Sequence, residues 1–224
     1  MPVEIKFCGL TRPEDARLAT SLGAAYLGFI FAPSPRQLTI ERAAMLLATL
    51  GNSGRGGRAP RPRLVGVFAG ADVATIAAAV ATLGLDVVQL HGAEDARLVR
   101  ALRDATDARI WRVVHVGPEG IDENCLTSAT PSDGVLLDAR VDGMLGGTGC
   151  SFDWARVRES VTSLRGAGPI ILAGGLRPEN VARAIELFAP DVVDVSSGVE
   201  SSPGCKDPAR MRAFADAVHG VGQE

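Results

Sequence analysis

Paired cysteines are missing from this sequence. Its four thiols, Cys8, Cys125, Cys150 and Cys205, show no Cys-x-x-Cys spacing and no neighbouring histidine cluster. That argues against a metal site and against a disulfide framework, and points to a reducing, cytoplasmic compartment. Long apolar runs are missing too: none approaches the ~18 consecutive residues of a membrane span. The opening MPVEIKFCGL carries Glu4 and Lys6 among its apolar positions, so the basic start and apolar stretch of a secretion signal are both absent. Nor is there an excess of positive charge. The net charge of −3 disfavours nucleic acid as the default partner, although a sum over the chain leaves room for a local basic pocket.

What the sequence does have is repetition. With 46% hydrophobic residues over 224 positions, the chain can bury a full core. Short apolar runs recur at 3–8, 25–31, 63–69, 86–91, 109–116, 134–139, 169–174 and 191–196. They are rich in Val, Ile, Leu and Phe, and several lack polar alternation, as expected of strands covered on both faces. Amphipathic segments lie between them. The first, TRPEDARLATSLGA, offers Thr11 as a cap, Pro13 in the first turn, Glu14 and Asp15 as early acids, and Gly23 at its stop. Another runs from Asp72 to Gly84, and RPENVARAIELFAPD repeats the proline-acid opening at Pro178 and Glu179. Residues 117–131 form the least clear helix, because Gly117, Pro118 and Gly120 crowd its start.

Eight strand-helix units in one chain leave about 28 residues per unit, close to a minimal βα repeat. A doubly wound open sheet usually shows a glycine fingerprint after its first strand. Here the first turn reads CGLTRPEDA instead. The expectation is therefore a single α/β domain over residues 1–224, a closed (β/α)8 TIM barrel. One stretch breaks the economy: GNSGRGGRAPRPR, residues 51–63, with four Gly, two Pro and four Arg. It reads as a flexible, solvated loop at the bottom of the barrel. A Gly-Arg nucleic-acid tether is the sharper alternative, but no aromatic residue is interleaved with the arginines.

Barrel enzymes carry their chemistry at the C-terminal strand ends. Those positions hold Cys8, the APSPRQ segment after Phe31, Gln89 with His91, Asp138, the Gly174-Gly175 pair and DVSSG. The seventh and eighth ends are the most interpretable. Gly174 and Gly175, followed in the next unit by Ser196, Ser197 and Gly198, let backbone amides approach an anion closely. Barrels often bind phosphate there.

Taken together, KFCGLTRPEDA, SPR, VVQLHG, LLDAR with GGTGCSFDW, LAGGLRPENV and DVSSGVE resemble the phosphoribosylanthranilate isomerase family of tryptophan biosynthesis, in order, from residue 4 to about residue 205. The resemblance implies an Amadori rearrangement of an aminoaldose phosphate to an aminoketose phosphate, with no metal and no cofactor. By position, Cys8 matches the family's general base and Asp138 its general acid. Arg36 matches the residue that grips the anthranilate carboxylate. His91 and Asp194 fall on positions lining the pocket, and the Gly and Ser residues above match the phosphate site. A cation near Cys8 would bring its thiolate within reach, and an apolar wall near Asp138 would help it keep a proton. The partner implied is a phosphorylated aminosugar, with neither membrane nor nucleic acid, and a monomer or homodimer is expected. His115 and His219 match no assigned role, and Cys125, Cys150 and Cys205 read as bystanders. Gly146, Gly147 and Gly149 suggest a closing loop within residues 141–150. The nearest rival is the sister isomerase of histidine biosynthesis, whose first strand should end on an aspartate and whose third should carry a second glycine pair. Neither feature is present here.

Overall fold

The computed structural model describes residues 2–50, 61–92, 95–117, 120–121, 132–138 and 168–221. Eight parallel strands form the barrel: β1 (Glu4–Phe7), β2 (Tyr26–Ile30), β3 (Arg63–Phe68), β4 (Val87–Leu90), β5 (Arg109–Gly117), β7 (Gly134–Asp138), β8 (Ile170–Ala173) and β9 (Val192–Val195). Their order is β4-β3-β2-β1-β9-β8-β7-β5, and pairing of β4 with β5 closes the ring. All eight predicted runs are strands, within a residue or two at each end.

A short strand, β6 (Gly120–Ile121), pairs antiparallel with the end of β5. The segment expected to begin a fifth helix therefore begins as a hairpin, which suits the glycines there better than a helix would. A second hairpin, β10 (Glu200–Ser202) with β11 (Cys205–Lys206), follows β9.

Helices α1 (Pro13–Ser21), α2 (Ile40–Leu50), α3 (Val73–Leu83), α4 (Ala96–Ala105), α5 (Val181–Phe188) and α6 (Pro208–Gly220) surround the described part of the ring. Their ends follow from sequence. Asp72 accepts from the Thr75 amide at 2.8 Å, and Gly84 closes α3 in the left-handed conformation. Asp95 and Asp207 cap α4 and α6 in the same way. Two expected starts are corrected. Thr11 does not cap α1; its hydroxyl donates to the Gly204 carbonyl, and Arg12 occupies the cap position without a side-chain capping bond. Helix α5 begins at Val181, because Asn180 spends its side chain on the preceding loop.

Alternation along the strands divides the core in two. Outward residues such as Ile5, Phe7, Leu27 and Phe29 pack on helix residues such as Ala16, Ala43 and Leu46. Each large apolar side chain buried there contributes about 1.5–3 kcal/mol. Inward residues Tyr26, Val65, Val87, Trp111, Leu136, Ile171 and Val192 form a second cluster. Most of these stand near strand starts, so they close the barrel's bottom and leave polar residues to fill its top. Arg63, where the chain enters β3, stands at a strand start and so at that bottom. Residues 51–60 of the Gly-Arg stretch lie outside the described residues, while Arg61 binds Asp86 at 2.8 Å and Arg63 binds Glu4 at 2.6 Å. The 141–150 loop, Cys125 and Cys150 also lie outside them.

Candidate active site

The period of two that buries Ile5 and Phe7 outward turns Lys6 and Cys8 inward. The same alternation on β4 turns in Gln89 and His91, on β7 Leu136 and Asp138, and on β9 Asp194 and Ser196. All of these side chains except Lys6 line a cavity of about 200 Å³ at the C-terminal mouth. Nine of the ten predicted site residues line it: Cys8, Asp138, His91, Asp194, Gly174, Gly175, Ser196, Ser197 and Gly198. Arg36 does not.

Cys8 continues the strand geometry of β1, its amide donating to the Val195 carbonyl at 2.9 Å. The residue is only 6% exposed. Beneath it lies a network that sequence reading missed. Lys6, wholly buried, donates to Asp194 Oδ2 at 2.6 Å and to Gln89 Oε1 at 2.9 Å. Lys6 and Asp194 are paired positions of adjacent strands, so the inward face brings them side by side. Lys6 had shown only as a charge breaking an apolar run, and the strand period was the signal that it points into the barrel.

Burial pushes the Cys8 thiol above its ordinary range; Lys6 pulls it down, Asp194 pushes it up, and Lys206 pulls it down, with burial prevailing. Nearby cations are thus present as expected, yet burial outweighs them and favours the thiol over the thiolate. Burial would lower Lys6, but Asp194 and Cys8 outweigh it and raise the ammonium's value.

Asp138 closes β7 three strands away around the ring. His115 is its paired position on β5, with Nδ1 3.8 Å from Asp138 Oδ2. The His91 ring meets His115 edge-on at 6.1 Å. A histidine without an assigned role is thereby brought to the rim beside the acid.

The corner expected to receive an anion is built by two loops. Gly174 and Gly175 have φ of 95° and 68°, a region that disfavours side chains. Asn180 holds this loop, donating to the Gly175 carbonyl at 3.0 Å and accepting from the Arg177 amide at 2.8 Å. Gly198 presses against it so closely that a Cβ would stand 1.8 Å from the Leu176 carbonyl oxygen. Two buried oxygens lining the cavity, Asp194 Oδ1 and Ser196 Oγ, have no hydrogen-bond partner among the described residues. Buried polar atoms in that condition are costly unless a ligand or water completes them.

Arg36 follows β2, and its side chain crosses the backbone of Gly9. Its guanidinium is held by Glu200, Nε to Oε1 at 2.7 Å and Nη2 to Oε2 at 2.6 Å. Lys206 adds a bond to Glu200 Oε1 at 2.9 Å and another to the Ser196 carbonyl at 3.0 Å. Sequence reading missed both hairpin residues. No group of three or more His, Cys, Asp or Glu among the described residues is placed to hold a metal ion. None of the described helices is long and apolar enough to cross a membrane.

Comparison with known proteins adds an independent line. The sequence profile of the family described as N-(5'phosphoribosyl)anthranilate (PRA) isomerase matches residues 5–217. N-(5'-phosphoribosyl)anthranilate isomerase of Pseudomonas aeruginosa is 40% identical over 218 residues, covering 96% of this chain and 95% of its own. The enzyme of the same name from Geobacillus thermodenitrificans is 38% identical over 217 residues, covering 96% and 93%. Among solved structures, phosphoribosyl anthranilate isomerase from Thermotoga maritima superposes with a TM-score of 0.77 at 32% identity, covering 98% of this chain and all of that one. A phosphoribosyl anthranilate isomerase in complex with reduced 1-(o-carboxyphenylamino)-1-deoxyribulose 5-phosphate gives 0.78 at 31% identity, with the same coverage. With profile, near-complete coverage and barrel in agreement, the chain belongs to the N-(5'-phosphoribosyl)anthranilate isomerase family.

Proposed function

We propose that this chain converts N-(5'-phosphoribosyl)anthranilate to 1-(o-carboxyphenylamino)-1-deoxyribulose 5-phosphate, a step of tryptophan synthesis, with Asp138 as acid and Cys8 as base. The observation that carries the reading is the placement of Cys8 and Asp138 on one cavity, three strands apart, with the two anion-binding loops on the arc between them. A 5'-phosphate seated at Gly174, Gly175 and Ser196–Gly198 lays the sugar across both groups. Asp138 protonates the furanose ring oxygen, and the C1'–O bond breaks to leave a protonated Schiff base. The Cys8 thiolate then removes the proton from C2', and those electrons form the C1'–C2' double bond of an enolamine. Proton return at C1' and loss of the C2' hydroxyl proton give the ketone.

The raised value of the Cys8 thiol has two consequences. It reduces the thiolate population, and it makes each thiolate a stronger base. The cationic Schiff base forms only at the step that needs the thiolate, and a positive charge beside a thiol favours ionisation. Asp194 Oδ1 and Ser196 Oγ supply acceptors for sugar hydroxyls, His91 supports the open chain at the rim, and Arg36 receives the anthranilate carboxylate. The test is an assay of the purified chain with N-(5'-phosphoribosyl)anthranilate and, side by side, with the aminoaldose of histidine synthesis. Turnover of the first is expected. Turnover of the second alone would replace this reading with that of the sister isomerase.

A further inference from the structure

We propose that Glu200 is a positioning residue that aims Arg36, so that the hairpin β10–β11 sets the carboxylate specificity of the site. This rests on the reading of Arg36 as the receptor of the substrate carboxylate. A guanidinium offers five N–H donors on a rigid plane. Glu200 takes the edge made by Nε and Nη2. That leaves the edge made by Nη1 and the second N–H of Nη2, which can hold another carboxylate through two parallel bonds. Arg36 is therefore built to carry two carboxylates, one from the protein and one from the ligand, and the first fixes the direction in which the second must approach.

Charge supports the same conclusion. Two cations, Arg36 and Lys206, share the single carboxylate of Glu200. Glu200 is 5% exposed and the Lys206 side chain is fully buried; burial lowers the Lys206 ammonium against the pull of Glu200, and with both bases protonated the group carries one excess positive charge. An anion is the natural complement. Burial works against the Glu200 carboxylate, yet bonds from Arg36 and Lys206 prevail and hold it below its usual range. It stays charged, and keeps its grip, at neutral pH.

The hairpin is also anchored to the machinery. Glu200 and Lys206 face each other across it. The Lys206 amide donates to Asp15 at 3.2 Å, Arg12 donates to the Lys206 carbonyl at 3.0 Å, and Thr11 reaches the Gly204 carbonyl. These partners stand in the loop and first helix turns that follow Cys8. The orientation of Arg36 is thus referenced to the strand end that carries the thiol.

The experiment compares two stable ligands by calorimetry: 1-(o-carboxyphenylamino)-1-deoxyribitol 5-phosphate and the same molecule lacking the ring carboxylate. Glu200→Gln keeps the shape but weakens the grip on Arg36. It should loosen the carboxylated ligand about tenfold and the other ligand less than twofold. In the Arg36→Met background, Glu200→Gln should add nothing further. Glu200→Asp, which keeps the charge, should recover part of the loss. With substrate, Glu200→Gln should raise KM more than it lowers kcat. Equal weakening of both ligands, or none, would overturn the proposal, the first by reducing the hairpin to a structural support. Should Arg36→Met itself bind both ligands like the wild type, the Arg36 reading would fall first.

Discussion

The inward face of Gly28 lies against the thiol of Cys8. A Cβ at residue 28 would stand 2.8 Å from Cys8 Sγ and 3.0 Å from its Cα. Neighbouring strands carry their inward positions side by side, so the small residue on β2 makes the space that the thiol on β1 fills. Gly28→Ala cannot be absorbed by a flexible side-chain tip, because one of the atoms met is backbone. Overpacking of this kind costs about 1–3 kcal/mol, and displacement of a reacting group by ~1 Å can cost ~10²-fold in rate. The expected outcome is a folded protein with a modestly lowered Tm and kcat reduced at least ~10-fold. Unchanged kcat would mean that the thiol's position is not fixed by this contact.

The titration of Cys8 follows from its burial. Because burial prevails over the pull of Lys6 and raises the thiol, alkylation by iodoacetamide should be slow at neutral pH and accelerate only above the ordinary thiol range near ~8.5. Lys6→Met removes the largest opposing pull and should shift that rise further alkaline. The linkage has a definite sign: a folded-state value above the unfolded one stabilises the fold below about pH 8.5, and that contribution is withdrawn as pH climbs through the higher folded value. Rapid alkylation of Cys8 at pH 7 would contradict the assignment.

The Lys6–Asp194 pair should respond differently to losing one partner and losing both. Breaking a buried pair by removing one charge costs about 3–5 kcal/mol, whereas an apolar replacement of both is often close to neutral. Asp194→Leu alone should therefore lower the urea midpoint sharply, and Lys6→Met with Asp194→Leu should recover much of it. Additive losses in the double variant would show that the two side chains do not depend on each other.

Much of this was legible in the residues, for reasons that differ between parts. The eight apolar runs announced themselves because both faces of a barrel strand are covered, and Asp72 and Gly84 marked helix ends with residues that have few other uses. The mouth was legible because Cys8, Asp138, Gly174 and Ser196 interrupt apolar strands at their ends. Lys6 was not, since a polar residue within a strand shows its face only once the register is known. Glu200 and Lys206 were missed for another reason. Their hairpin lies after the last barrel strand, and its service to Arg36 joins residues 164 positions apart. Thr11 misled in the same way, its hydroxyl claimed by Gly204 in that hairpin rather than by the helix it precedes.

The most direct test of the account is kcat for Cys8→Ser and Asp138→Asn with N-(5'-phosphoribosyl)anthranilate, measured alongside circular dichroism to establish that both variants fold. Removing a general acid or base costs typically 10²–10⁴-fold, so each variant should lose at least ~10²-fold in kcat while its spectrum and its affinity for the reduced product analogue stay close to those of the parent. Full turnover by a folded Cys8→Ser or Asp138→Asn protein would contradict the pairing of thiol and carboxyl on which the mechanism is built.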